Sequence, residues 1–305
     1  MKVLIAGGSG FLGRPLADAL AADRHQVVIL TRGTRDRPAA SGARVATWTP
    51  ASPRGAWTAE IEGAGAVINL AGESIAARRW STAQKRRILD SRVQATRSLV
   101  EAIRAAASPP NVFISGSAVG YYGPLGDEIA TEERPAGSDF LATVCLRWEA
   151  EATRAAGAAT RVACIRTGLV IEQDGGALPK MLPPFKLGAG GPVGSGRQYW
   201  PWVHRDDWIA LVRWTIETGS ATGPINATAP NPVTNAQFSR ALGRAMHRPA
   251  FMPAPAFALR LLLGEMADAL LLSGQRATPA KAERLGFTFR YKELDDALRA
   301  IFGGR

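Results

Sequence analysis

Two groups of residues could do chemistry. "GGSGFLG" (7–13) sets Gly7, Gly10 and Gly13 three residues apart, between a strand-like run and a helix-like run. Glycine at that spacing permits a tight turn, lets a pyrophosphate approach the backbone and lets the helix pack close to the strand. The first N–H groups of the helix then face the anion. The second group could move a proton or hold a carbonyl. It comprises Ser117, Tyr121 and Tyr122 in "ISGSAVGYYG" (114–123), His204 in "WVHRDD" (202–207) and Glu73 after "NLAG". Imidazole titrates near neutrality, and phenol and hydroxyl can give or take a proton in place. Each also has a structural use: a hydroxyl bonded to backbone at a strand end, rings packing a turn, a histidine fastening a loop.

Cofactor choice is read at the end of the second strand. An acid there would hold a ribose 2′-hydroxyl, and arginine would meet a 2′-phosphate. The chain has Thr31-Arg32-Gly33 with Arg35 nearby and no acid, which predicts NADP(H) over NAD(H).

The elements that must position these residues follow from hydrophobic pattern. Residues 2–8, 26–32, 64–72, 111–120 and 160–170 read as buried strands, and 13–25, 81–106 (broken once) and 137–152 as helices. In the last of these, Phe140, Val144, Trp148 and Ala152 make one apolar stripe, and Ser138 or Asp139 caps the start. This alternation predicts an α/β fold, a Rossmann-type doubly wound parallel sheet with a smaller C-terminal substrate lobe. The expected division is 1–170 plus about 203–229 for the dinucleotide domain, and about 171–202 plus 230–305 for the smaller one.

Residues 172–204 are rich in Gly, Pro and aromatics, as a loop-built site would be. Tyr199, Trp200, Trp202 and Arg197 there could stack on and pair with a flat or anionic ligand, or plug the seam between lobes. Lys180 and Lys186 could meet a phosphate. A tail of two or three helices follows, whose stripe Phe257, Leu261, Leu262, Met266 and Leu270 reads as core.

The 305 residues are 46% hydrophobic and 21% charged, enough for a full core. The best apolar helix, 256–272, carries Arg260, Glu265 and Asp268 and does not read as a membrane span. The start runs straight into a strand, without the apolar stretch of a signal peptide. Two cysteines, Cys145 and Cys164, make neither a disulfide framework nor a cysteine-rich metal site, so a cytoplasmic protein is expected. The net charge of +11 suits anionic small ligands, and no nucleic-acid recognition module accompanies it.

"GGSGFLG", "INLAG" (68–72), "ISGSAVGYYG", "IRTGLV" (165–170) and "WVHRDD" occur in the order seen in extended short-chain dehydrogenases/reductases, relatives of nucleotide-sugar epimerases and dehydratases. "NLAGESIAARRWSTAQKRRILDSRV" and the tail resemble an atypical epimerase branch of unassigned substrate with its own small C-terminal domain. The resemblance implies that Gly7, Gly10, Phe11, Leu12 and Gly13 cradle the pyrophosphate and that Arg32 faces the adenosine ribose phosphate. It implies that Asn69, Leu70 and Ala71 line the far side of the cofactor, and that Ser117 binds and polarises a substrate carbonyl. Members of that family often dimerise through helices such as 81–106 and 137–155, so the resemblance leaves a homodimer open.

Working members of that family carry Tyr-x-x-x-Lys on the next helix, the tyrosine transferring a proton and the lysine lowering its pKa. Counted back from Glu149, those places hold Leu141 and Cys145, which can do neither, and Arg147 lies on another face of the helix. Two readings follow. One is an NADP(H)-binding epimerase- or reductase-like enzyme acting on a small, anionic, carbonyl or sugar-like substrate through other groups. The other is a regulatory or scaffold protein that binds NADPH without turnover.

Overall fold

The computed structural model describes residues 1–33 and 42–303. Seven strands form the main sheet: β1 (Lys2–Ala6), β2 (Gln26–Thr31), β3 (Arg44–Thr47), β4 (Ala66–Asn69), β5 (Val112–Ala118), β6 (Arg161–Thr167) and β7 (Gly223–Ala227). Their order is β7-β6-β5-β4-β1-β2-β3, and every pairing is parallel. The chain therefore winds outward in both directions from the β1–β4 neighbours. In such sheets ligands bind beyond the carboxyl ends of the strands at that reversal.

Both faces of the sheet are covered, which is why its strands read as nearly unbroken apolar runs. Val3 and Ile5 face α1 (Gly13–Ala22) and, later in the chain, α5 (Arg205–Glu217), with Leu16, Leu20, Leu211 and Val212. Leu4 and Ala6 face α2 (Thr82–Ala105) and α3 (Phe140–Thr153), with Leu99, Val100, Ile103 and Ala152. This is the two-residue alternation of a strand, and each such aliphatic side chain contributes about 1.5–3 kcal/mol on burial.

Helix α2 runs unbroken for 24 residues, where a break was expected. It contains neither Gly nor Pro, and Ser81 Oγ accepts the Gln84 N–H to start it. In α3 the cap is Asp139, accepting from the Ala142 N–H at 2.7 Å. Val144, Trp148 and Ala152 are buried as the stripe requires.

Beyond β6 a third core gathers Ile171, Phe185, Trp200, Trp202, Phe238 and Leu298. It is built by α4 (Leu178–Lys186), α6 (Asn235–Met246) and α10 (Leu294–Phe302). Between the last two lie α7 (Ala256–Leu263), α8 (Glu265–Ala267) running into a π-helical turn (Asp268–Leu272), and α9 (Ala280–Arg284). The tail thus has more helices than the two or three expected, because Gly264, Ser273-Gly274 and Pro279 cut it into short pieces. The expected core stripe is also corrected. Gly264, at φ +63°, ends α7, so Phe257, Leu261 and Leu262 are 73%, 78% and 71% exposed while Met266 alone is buried. Strands β3 and β7 carried too little apolar pattern to be read from sequence. Among the described residues no helix is long and apolar enough to cross a membrane.

Candidate functional site

The glycine loop leaves β1 and enters α1, and each glycine has its own reason. Gly7 has φ +81°, and a Cβ there would lie 2.8 Å from the Leu70 carbonyl carbon. A Cβ on Gly13 would lie 2.3 Å from the Gly7 carbonyl oxygen. Gly10 closes the turn, its N–H donating to that same oxygen at 3.1 Å. Helix α1 starts after Leu12 with no side-chain cap and no acid in its first turn, leaving a positive end open to an anion. These residues fit a dinucleotide: the close approach that a Cβ would block is what a pyrophosphate needs.

Two hollows meet at this loop and share Gly7, Gly10 and Leu70. The outer one, about 680 Å³, is lined by Thr31, Arg32, Gly33, Trp48, Ala71 and Glu73. The inner one, about 360 Å³, passes Phe11, Leu12 and Gly13 to Ser117, Leu141 and Cys145. Together they have the two-ended shape of an adenosine half and a nicotinamide half. Asn69, expected to line this cleft, does not. It is fully buried beneath it, donating to Thr96 Oγ1 at 2.9 Å and accepting the Ala71 N–H at 3.1 Å, so it sets the turn that presents Leu70 and Ala71. Glu73 lines the outer hollow, away from Ser117 at the inner end. Arg35 lies outside the described residues.

At the inner end, Leu141 and Cys145 stand on α3 facing the cleft. The Cys145 thiol is 3% exposed, donates to the Ala118 carbonyl at 3.6 Å, and is pushed up to about 11 by burial. It stays protonated at neutral pH. Sequence reasoning missed Arg92, whose guanidinium lines this end and lies 5.1 Å from the Trp148 ring centroid. It donates to the Glu73 and Ile88 carbonyls, each at 2.9 Å. Burial lowers its pKa, but an arginine so placed remains a cation.

Ser117, 4% exposed, donates its proton to Glu149 Oε1 at 2.6 Å. A carboxylate can only accept, so toward the cleft Ser117 offers lone pairs. That suits a hydroxyl or amide N–H better than the carbonyl expected from the resemblance. Glu149 is in turn gripped by Arg166, Nε to Oε1 and Nη2 to Oε2, both at 2.9 Å. Burial would lower the Arg166 pKa, but the Glu149 carboxylate raises it above the ordinary value.

The alternative proton donors are committed elsewhere. Tyr122 is 2% exposed, donates to Asn226 Oδ1 at 2.7 Å, accepts from Arg166 at 3.1 Å and is pushed up to about 12 by burial. Tyr121 lies under the Arg166 guanidinium, 3.4 Å from centroid to Cζ. Neither ring lines the cleft. His204 caps α5, its Nδ1 accepting the Asp206 N–H at 3.1 Å, and its ring packs on Tyr291 at 4.2 Å. An Nδ1 used as acceptor carries no proton, in keeping with the lowering of its pKa by burial. Its neighbour Asp207 accepts the Arg290 and Tyr291 N–H groups, both at 2.8 Å, and so ties the tail to α5.

A third hollow, about 180 Å³, adjoins the inner end and shares Gly120, Leu141 and Thr167 with it. Tyr199 and Trp200 line it, whereas Trp202 is fully buried with its N–H on the Asn231 carbonyl, the plug rather than the site. Arg197, Lys180 and Lys186 are exposed and do not line it. Among the described residues no cluster of His, Cys, Asp and Glu could hold a metal ion.

Comparison with known proteins agrees with this architecture. Residues 3–227 match the NAD dependent epimerase/dehydratase family, and residues 254–301 match a domain of unknown function (DUF1731). The chain is 42% identical over 303 residues to the Arabidopsis thaliana epimerase family protein SDR39U1 homolog, chloroplastic, covering 99% of this chain and 86% of that one. The crystal structure of human epimerase family protein SDR39U1 (isoform 2) with NADPH superposes at a TM-score of 0.91, with 34% identity and 100% of both chains covered. A nucleoside-diphosphate sugar epimerase from Corynebacterium glutamicum superposes at 0.80 with 34% identity, over 99% of this chain and 58% of that one.

Proposed function

We propose, from the premise that this chain belongs to the NAD-dependent epimerase/dehydratase family, that it binds NADP(H) in the cleft and applies it to a small carbonyl or sugar-like substrate without a Tyr–Lys pair. The observation that carries this reading is continuity: the glycine loop, the Ser117 end and the pocket beyond Leu141 share lining residues from one hollow to the next. A bound nicotinamide supplies hydride acceptance and donation. The chain's own groups bind and orient: the α1 end takes the pyrophosphate, Arg32 sits where a 2′-phosphate would be met, and Ser117 accepts from a substrate hydroxyl. Arg92 adds a fixed cation on the same wall as Cys145. A cytoplasmic setting, where thiols stay reduced, goes with two buried free cysteines.

The second reading is an NADPH-binding regulator, and Leu141 and Cys145 favour it. Titration with NADPH and NADH by tryptophan fluorescence, followed by NADPH consumption across carbonyl compounds, tests both. Tight NADPH binding with consumption supports the enzyme. Binding with neither NADPH consumption by a carbonyl nor epimerisation of a sugar supports the regulator. Epimerisation is read by proton NMR, because an epimerase returns its hydride and consumes no cofactor. No binding of either nucleotide overturns both.

A further inference from the structure

The pocket beyond Leu141 is built, not a gap. A Cβ on Gly168 would lie 2.2 Å from the Pro201 oxygen, and one on Gly274 1.9 Å from the Tyr199 oxygen, so both walls depend on glycine to come this close. The π-helical turn Asp268–Leu272 supplies Ala269 and Leu270 to the lining, and such turns recur at functional sites.

Its chemistry is neutral. None of its lining residues is charged, and most of its wall is apolar: Val119, Leu141, Leu169, Met181 and Leu270 among them. Arg276 stacks on the Tyr199 ring at 5.2 Å without itself lining the pocket. Trp200, 6% exposed, adds an aromatic wall and is itself seated on Phe238 at 5.3 Å. A nucleotide sugar brings two phosphates, which need cations or helix ends that this pocket lacks. An apolar cavity of roughly 150 Å³ takes benzene, so about 180 Å³ takes one ring or a short chain with a small polar group.

Building on the proposed NADP(H) chemistry, we infer that the substrate is a compact, uncharged, largely apolar carbonyl compound or its alcohol, not a nucleotide sugar. This reading differs from the anionic ligand that the net charge suits.

The test uses the full chain, with and without saturating NADPH, and the probes acetophenone, 2-heptanone and UDP-glucose. Methyl NMR of the five methionines is the readout. Met181 lines the pocket and Met252 is exposed elsewhere, so a ketone should move the Met181 methyl and leave Met252 still. Leu270→Trp should weaken ketone binding at least tenfold. UDP-glucose should leave Met181 unmoved. Failure of both ketones to shift Met181, or a Met181 shift with UDP-glucose, overturns the inference even if Leu270→Trp does not fold. Absence of NADPH binding would sink the functional proposal while leaving the ketone measurement decisive for the pocket.

Discussion

Ser117 and Glu149 meet across the seam between β5 and α3, the hydroxyl donating to Oε1 at 2.6 Å while Arg166 holds both carboxylate oxygens from β6. The cleft wall is thus fixed by a buried ion pair. Glu149→Gln would leave the Arg166 guanidinium, 2% exposed, without its counter-charge. Removing one partner of such a pair costs about 3–5 kcal/mol. A fall of that order in the urea unfolding free energy is expected, with partial recovery when Arg166→Met is added. An unchanged urea midpoint would show that the pair does not hold the wall.

The glycine loop makes a sharper steric prediction. Gly13→Ala places a methyl 2.3 Å from a backbone oxygen that cannot move without opening the β1 turn. NADPH affinity should fall at least tenfold, or about 1.4 kcal/mol. Gly219→Ala, with nothing within 4 Å, serves as the folding control. Fluorescence titration of both variants reads the difference.

The sheet and the cofactor loop were legible because their signals are local. Val3–Ala6, Val27–Leu30 and Ala66–Ile68 are apolar runs that only a strand covered on both faces needs, and "GGSGFLG" carries its geometry in seven residues. The rest of the site is made by contacts between distant elements. Arg92 is one arginine among many on α2, and only the seat of Trp148 on α3 distinguishes it from Arg86 or Arg87. The Glu149–Arg166 pair joins a helix to the strand after it, so no periodicity marks it. Asn69 is a candidate through the family resemblance and His204 because imidazole titrates near neutrality. Here each satisfies backbone N–H groups that the turn or helix start would leave unpaired.

Arg32 sets the cofactor prediction. It lines the outer hollow beside Gly33 and Trp48, with no acid at the end of β2. Arg32→Ala should weaken NADPH by roughly ten- to a hundredfold and leave NADH nearly unchanged, because a charge-assisted contact to phosphate is worth about 1.5–3 kcal/mol. Competitive titration measures the ratio. Equal losses for the two nucleotides would remove Arg32 from the 2′-phosphate.

Stability should fall at alkaline pH. Burial raises Cys145 from 9.0 to about 11 and Tyr122 from 10.0 to about 12. Both groups hold their protons more tightly when folded. Their contribution is full below pH 9 and is lost as pH rises through about 11 and 12, since the unfolded chain gives up those protons first. A loss of about 3 kcal/mol per group is the scale. Urea melts between pH 8 and 12 should show the decline, and Cys145→Ala should flatten its lower part.

Arg92 predicts that placing a tyrosine and a lysine at 141 and 145 will not add redox chemistry. Its guanidinium is locked by two carbonyls at 2.9 Å and by Trp148, and it lines the same hollow as Cys145. Leu141→Tyr with Cys145→Lys would bury an ammonium beside that fixed cation, where like charge and desolvation both oppose it. The double variant should lose about 2–3 kcal/mol and gain no NADPH oxidation. Adding Arg92→Met should recover stability by removing the repulsion. If instead the double variant is as stable as the parent and consumes NADPH, Arg92 does not oppose a second cation at 145.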